Sequence, residues 1–150
     1  MSKIFLDTNI LLYTMDEHDT TKKMYAREIV QTVTERHTPV ISTQVLQEFY
    51  VASTVKLGVE PLSAKSIVQA FENMEVVLID PPLIREAIDT SILSRILFWD
   101  ALVVVAAERA NCEILYTEDL NAGQIIRGVK IENPIPPGGR AARAPGNPHR

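Results

Sequence analysis

The apolar positions fall in short solid blocks separated by stretches of helical period. Ile4-Phe5-Leu6 is one such block, and it stops at Asp7. This is the pattern of a buried strand with an acid at its C-terminal end. A helix is expected to begin within residues 9 to 13. From residue 20 to about 36, Met24, Ile29 and Val33 recur near helical spacing with polar residues between them. Pro39-Val40-Ile41 reads as a second strand. Ser42 then offers an N-cap for a helix over residues 44 to 56, stopped near Gly58. Pro61 opens a helix ending near Asn73, and residues 76 to 79 form a third strand closed by Asp80-Pro81-Pro82. Residues 83 to 93 read as a helix with Ile84, Ala87, Ile88 and Ser91 on one face. Residues 99 to 110 are ambiguous: three consecutive valines favour a strand, while length and alanines favour a buried helix, the reading adopted. Residues 113 to 116 and 129 to 132 complete the set as a fourth and a fifth strand.

Solidly apolar strands alternating with helices predict an α/β sandwich with a mostly parallel sheet. One domain accounts for residues 1 to 134. Residues 135 to 150 hold proline, glycine and three arginines (Arg140, Arg143, Arg150) without an acid, and are expected to form a disordered tail. The longest apolar run, Ala101 to Ala107, is seven residues, well short of the ~20 that span a bilayer. The N-terminus runs straight into the first strand with no signal-peptide pattern. A single cysteine, Cys112, excludes an internal disulfide. A cytoplasmic protein without a membrane association is expected.

The net charge of −4 argues against a nucleic-acid coat protein. It leaves room for a site that gathers carboxylates around a cation. Asp7 follows the first strand, where ligand sites of parallel sheets lie, although it also suits a helix cap. Glu48 falls among Val45, Phe49, Ala52 and Val55 on one helix stripe, where a lone charge is costly to bury. Asp100 stands at the start of the most apolar segment, among unpaired backbone N–H groups if that segment is a helix. Asp119 follows the fourth strand as Asp7 follows the first, and its neighbour Glu118 reads as the solvated acid of the two. Carboxylates that share a site repel one another and persist with cations or shared protons. Oxygen ligands of this kind suit Mg²⁺ or Mn²⁺. Zinc does not fit, because His18, His37 and His149 show no paired ligand spacing and read as surface residues. An aspartate-dependent phosphatase is the nearest enzymatic alternative. Such enzymes usually carry a second acid two residues after the nucleophile, where this chain has Asn9.

The segments Ile4-Phe5-Leu6-Asp7-Thr8-Asn9-Ile10-Leu11-Leu12-Tyr13, the helix carrying Glu48, Trp99-Asp100-Ala101-Leu102 and Leu115-Tyr116-Thr117-Glu118-Asp119-Leu120 resemble the PIN-domain nucleases. More closely, they resemble the VapC-type toxins of toxin–antitoxin pairs. The resemblance runs from about Lys3 to Pro134 and implies a PIN fold with four or five strands. It also implies Mg²⁺-dependent endoribonuclease activity giving 5′-phosphate and 3′-hydroxyl ends, an antitoxin partner and a homodimer. The family acids fall on Asp7, Glu48, Asp100 and Asp119. Asp7, Asp100 and Asp119 would hold metal, Glu48 would bind it directly or through water, and Thr8, Asn9 and Thr117 would support the site. A non-catalytic PIN-like binding module is the alternative within the family. Lys22, Lys23, Arg36, Lys56, Arg95 and Arg127 are candidates for positioning the phosphates of RNA, and the three tail arginines for binding nucleic acid or an acidic partner.

Overall fold

Short apolar runs need cover on both faces, and here they find it as strands of one sheet between two layers of helices. The computed structural model describes residues 2 to 136. In chain order the elements are β1 (Lys3–Leu6), α1 (Thr8–Tyr13), α2 (Thr20–Arg36), β2 (Thr38–Ser42), α3 (Thr43–Val55), α4 (Pro61–Phe71) and β3 (Glu75–Val77). They continue with α5 (Pro81–Ser94), α6 (Phe98–Arg109), β4 (Ile114–Tyr116), β5 (Ile125–Ile126) and β6 (Val129–Glu132). The strands lie in the order β3-β2-β1-β4-β6-β5. Every neighbouring pair is parallel except β5 against β6. The extra strand beyond those expected is β5, an edge of two residues, too short to leave a periodicity in the sequence.

β1 is central. From it the chain moves outward to β2 and β3, then returns to the other side of β1 as β4. In open parallel sheets a crevice opens beyond the strand C-termini where the order reverses in this way. The residues leaving β1 and β4 therefore meet. Leu6 pairs with Tyr116, and the Asp7 N–H donates to the Tyr116 carbonyl at 3.1 Å. Right-handed crossovers put α1 to α4 on one face and α5 with α6 on the other. α6 packs against β2, β4, β6 and α5.

The ambiguous segment is a helix. Ala101 through Ala107 are all buried in α6, which is covered by the sheet on one side and α5 on the other. A helix wrapped in this way has no polar face, which is why its sequence shows no amphipathic period. The valines cost a few tenths of a kcal/mol each in helix propensity, against ~1.5–3 kcal/mol gained on burial.

Other helices bury different stripes from those read in the sequence. α2 turns Lys22, Ala26 and Val33 inward and leaves Met24 71% exposed. α3 buries Gln44, Val45, Phe49 and Ser53 and leaves Val55 exposed. α5 buries Leu83, Ala87 and Thr90, while Ile84 and Ile88 face outward. The side of α5 that meets α6 is the one carrying Ala87 and Thr90, small enough for two helices to approach. Arg127 is not a spare cation for a substrate. It lies in the left-handed region (φ 50) and pairs with Glu86 at 2.5 Å and Glu108 at 2.7 Å. Ile135 is buried, so packing continues past the boundary placed after Pro134. Arg140, Arg143, His149 and Arg150 lie outside the described residues. Of the remaining histidines, His18 is exposed and His37 half-buried. Cys112 is buried, and desolvation pushes its thiol up to about 12, so it is an inert packing residue. No single helix among the described residues is long and apolar enough to cross a membrane.

Candidate active site

Asp7 leaves β1 at the crevice and is 5% exposed. One carboxylate oxygen accepts the Thr8 N–H at 2.8 Å, the helix cap read as the alternative role, and the other accepts the Thr117 hydroxyl at 2.8 Å. Asp7 thus caps α1 and faces the site at once. Burial, and then the charge of Asp119, push its carboxyl from the ordinary 3.8 up to about 7. The hydrogen bonds from Thr117 and Thr8 pull the other way, and Glu48 adds a smaller upward push.

The neighbouring acids are tied to the same two turns. The Thr8 hydroxyl donates to Glu48 Oε1 at 2.7 Å. Asn9 donates from Nδ2 to Asp119 Oδ1 at 3.0 Å, and the Asp119 N–H donates to the Thr117 hydroxyl at 3.0 Å. Asp7, Glu48 and Asp119 line one open cleft of about 510 Å³, together with Val51, Val55 and Lys56. Asp100 does not line it. It stands half-buried in the first turn of α6, and the residue before it is tied to Glu48 through Gln44. That amide donates to Glu48 Oε2 at 3.2 Å and to the carbonyl of Trp99, the residue before Asp100, at 3.2 Å. Among the described residues, no three acids, histidines or cysteines are already gathered as a metal-ligand set. The acids are instead spaced apart by hydroxyls and amides.

The sequence matches the PIN domain profile over residues 4–126. The chain belongs to the PIN domain family. No curated protein gives a significant sequence match. Among solved structures, a toxin–antitoxin complex from Klebsiella pneumoniae aligns with TM-score 0.66 at 17% identity, over 87% of this chain and 97% of the other. DNA-bound VapBC from Salmonella typhimurium aligns with TM-score 0.63 at 23% identity, over 89% and 99%. Mycobacterium tuberculosis VapC20, described as a sarcin–ricin loop cleaving toxin, aligns with TM-score 0.59 at 18% identity, over 77% and 89%. At these identities the likeness speaks for the fold.

In this PIN domain, sequence reasoning missed the residues that fix the Asp119 turn. Lys22, expected as a candidate for positioning RNA phosphates, and Glu118, read as solvated, form a buried ion pair at 3.4 Å with both side chains 1% exposed. Lys22 Nζ also lies 3.9 Å from the centre of the Tyr13 ring, and the Tyr13 hydroxyl donates to the same Glu118 oxygen. The other Glu118 oxygen is buried with no hydrogen-bond partner. The triad pins α1 and α2 to the turn that carries Asp119. The available signal was Lys22 sharing a helical stripe with Ala26, Ile29 and Val33, the kind of observation that picked out Glu48. Gln44 was missed because an amide four residues before an acid is common on any helix.

Two outcomes follow for the isolated protein. The folded chain keeps a proton on Asp7 between pH 3.8 and about 7 that the unfolded chain has released. The stability this provides is full below that window and is lost as pH climbs through it, on the order of 4 kcal/mol at most. Metal-free melting scans should therefore show the wild type losing stability from pH 5 to 8 more steeply than Asp7→Asn. Parallel curves would refute the shift. Lys22→Met should cost about 3–5 kcal/mol in denaturant titrations, because Glu118 is left buried and unpaired. Adding Glu118→Gln should recover much of the loss, and a single variant as stable as wild type would show the pair to be dispensable.

Proposed function

We propose that this PIN domain is a divalent-metal-dependent endoribonuclease and the toxin of a toxin–antitoxin pair. The observation that carries the reading is Asp7: an acid desolvated at the strand switch point and crowded by Asp119 and Glu48. Such crowding favours a bound cation, which replaces the proton as the neutralising charge.

The donors fit a hard divalent ion. Carboxylate oxygens of Asp7, Glu48 and Asp119 face the cleft with hydroxyl and amide neighbours, and among the described residues no thiol or imidazole lines it. Asp7, Asp100 and Asp119 would hold Mg²⁺ or Mn²⁺, with Glu48 as a direct or water-mediated ligand. When bound, such an ion would supply positive charge for the phosphate and lower the pKa of water at the site. Thr117 holds Asp7, Thr8 holds Glu48 and Asn9 holds Asp119, so each carboxylate has a fixed direction before substrate arrives. Glu48, carried by α3 on the wall of the cleft, would orient the attacking water. Expected ends are a 5′-phosphate and a 3′-hydroxyl.

The partners follow the same reading. The neighbours described as VapBC and as a toxin–antitoxin complex support an antitoxin for this chain. VapC20, described as a toxin that cleaves the sarcin–ricin loop, supports RNA as substrate. A homodimer is supported by α5, which leaves Ile84, Ile88 and Ile92 outward at four-residue spacing.

Incubating the purified chain with single-stranded RNA should give metal-dependent cutting that EDTA stops. Asp7→Asn and Asp100→Asn should each lower the rate at least ~100-fold while leaving far-UV circular dichroism unchanged. No cutting with either metal, or normal cutting by both variants, would overturn the assignment. Sedimentation equilibrium should give twice the 16.8 kDa chain mass, and Ile88→Asp should halve it. A monomeric wild type would reject the dimer.

A further inference from the structure

Six cations were candidates for holding RNA, and the structure separates them. Lys22 is buried on Glu118, Lys23 pairs with Glu17, and Arg127 is taken up by Glu86 and Glu108. Arg36 and Arg95 do not line the acidic cleft. Lys56 does, and among the described residues it makes no ion pair.

Its place on α3 is specific. Val51, Ala52, Val55 and the C-cap Lys56 lie three, four, seven and eight residues after Glu48, on one helical face, and all line the cleft. A single stripe of the helix thus runs from a carboxylate, across a small apolar shelf, to a cation at the helix C-terminus. Val51 and Val55 are 58% and 77% exposed, so the shelf is open. Eight residues of helix span ~12 Å, which sets Lys56 against a phosphate further along a strand than the one at the acids.

We infer that this stripe is the RNA-binding track of the site: Lys56 is a positioning residue that holds a phosphate beyond the scissile one, and Val51 with Val55 takes the base between. The inference rests on the ribonuclease reading and deepens it. Charge favours RNA as the occupant. The cleft is acidic at one end, where a cation and the scissile phosphate would meet, and the free charge at the other end is positive. A flat apolar shelf has no hydrogen-bond code, so it accepts any unpaired base and selects single-stranded over paired RNA.

The test compares wild type, Lys56→Ala, Val55→Asp and, as a control of equal charge loss away from the cleft, Arg85→Ala. Cleavage of a fluorescein-labelled single-stranded oligoribonucleotide gives kcat and KM. Anisotropy in the Asp7→Asn background gives Kd across a salt series. Lys56→Ala should raise KM and Kd about tenfold with kcat within about twofold, and lower the slope of log Kd against log salt by about 0.7. Val55→Asp should raise KM without lowering that slope. Arg85→Ala should match wild type. A Lys56→Ala variant with unchanged KM and salt slope, on an enzyme that cuts RNA, would overturn the track alone and leave the apolar stripe to a protein partner. A wild type that cuts no RNA would instead remove the function on which the track depends.

Discussion

Asp7 sits where water is scarce and two other carboxylates stand in the same cleft, and much of the molecule is arranged around that repulsion. Such a group tends to swing away or to take a proton. Here it is held in place from both sides, by the N–H of Thr8 and the hydroxyl of Thr117, and in the absence of a cation it keeps a proton up to about pH 7. The same two turns supply Thr8 to Glu48 and Asn9 to Asp119. The backbone of β1 and β4 thus sets the acids' directions, and short side chains on those turns keep them apart. What this leaves is a set of oxygens whose charge is only partly satisfied by the protein itself.

The fold provides the place for it. Reversal of strand order at β1 brings the ends of two strands that are 110 residues apart in sequence, measured from Asp7 to Thr117, into hydrogen-bond contact. α3 then delivers Glu48 from the neighbouring strand β2, and Gln44 ties Glu48 to the carbonyl of Trp99, the residue before Asp100 in the first turn of α6. A buried Lys22–Glu118 pair capped by Tyr13 fixes the remaining turn. Burying two charges is costly, and the benefit is positional: the turn that carries Asp119 is tied to two helices.

Much of this was readable in the sequence. Solid apolar runs gave the parallel strands, Ser42 and Pro61 gave helix starts, and acids after strands gave Asp7 and Asp119, whereas Asp80, read only as the close of a strand, is the N-cap of α5. The helical stripes were less legible. Ile84, Ile88, Met24 and Val55 are apolar yet turned outward, because apolar residues mark a face only when that face meets a neighbour, and the neighbour is decided by tertiary packing. Lys22 and Glu118 were misread for the complementary reason. Each is a charge that looks solvated alone, and only the fold shows that the two meet. β5 was too short to leave a pattern. Asp100 illustrates a finer limit: its segment was recognised, but whether it lines the cleft is decided by how α6 packs on the sheet and α5.

The central claim is that a divalent cation takes the place of the proton held by Asp7. Calorimetric titration of Mn²⁺ into the chain, in buffers of different ionisation enthalpy, measures this directly. The account expects saturable binding that releases about one proton at pH 6 and nearly none at pH 8.5, with both the binding and the release diminished in Asp7→Asn. Binding that releases no proton at pH 6, or no binding at all, would contradict it.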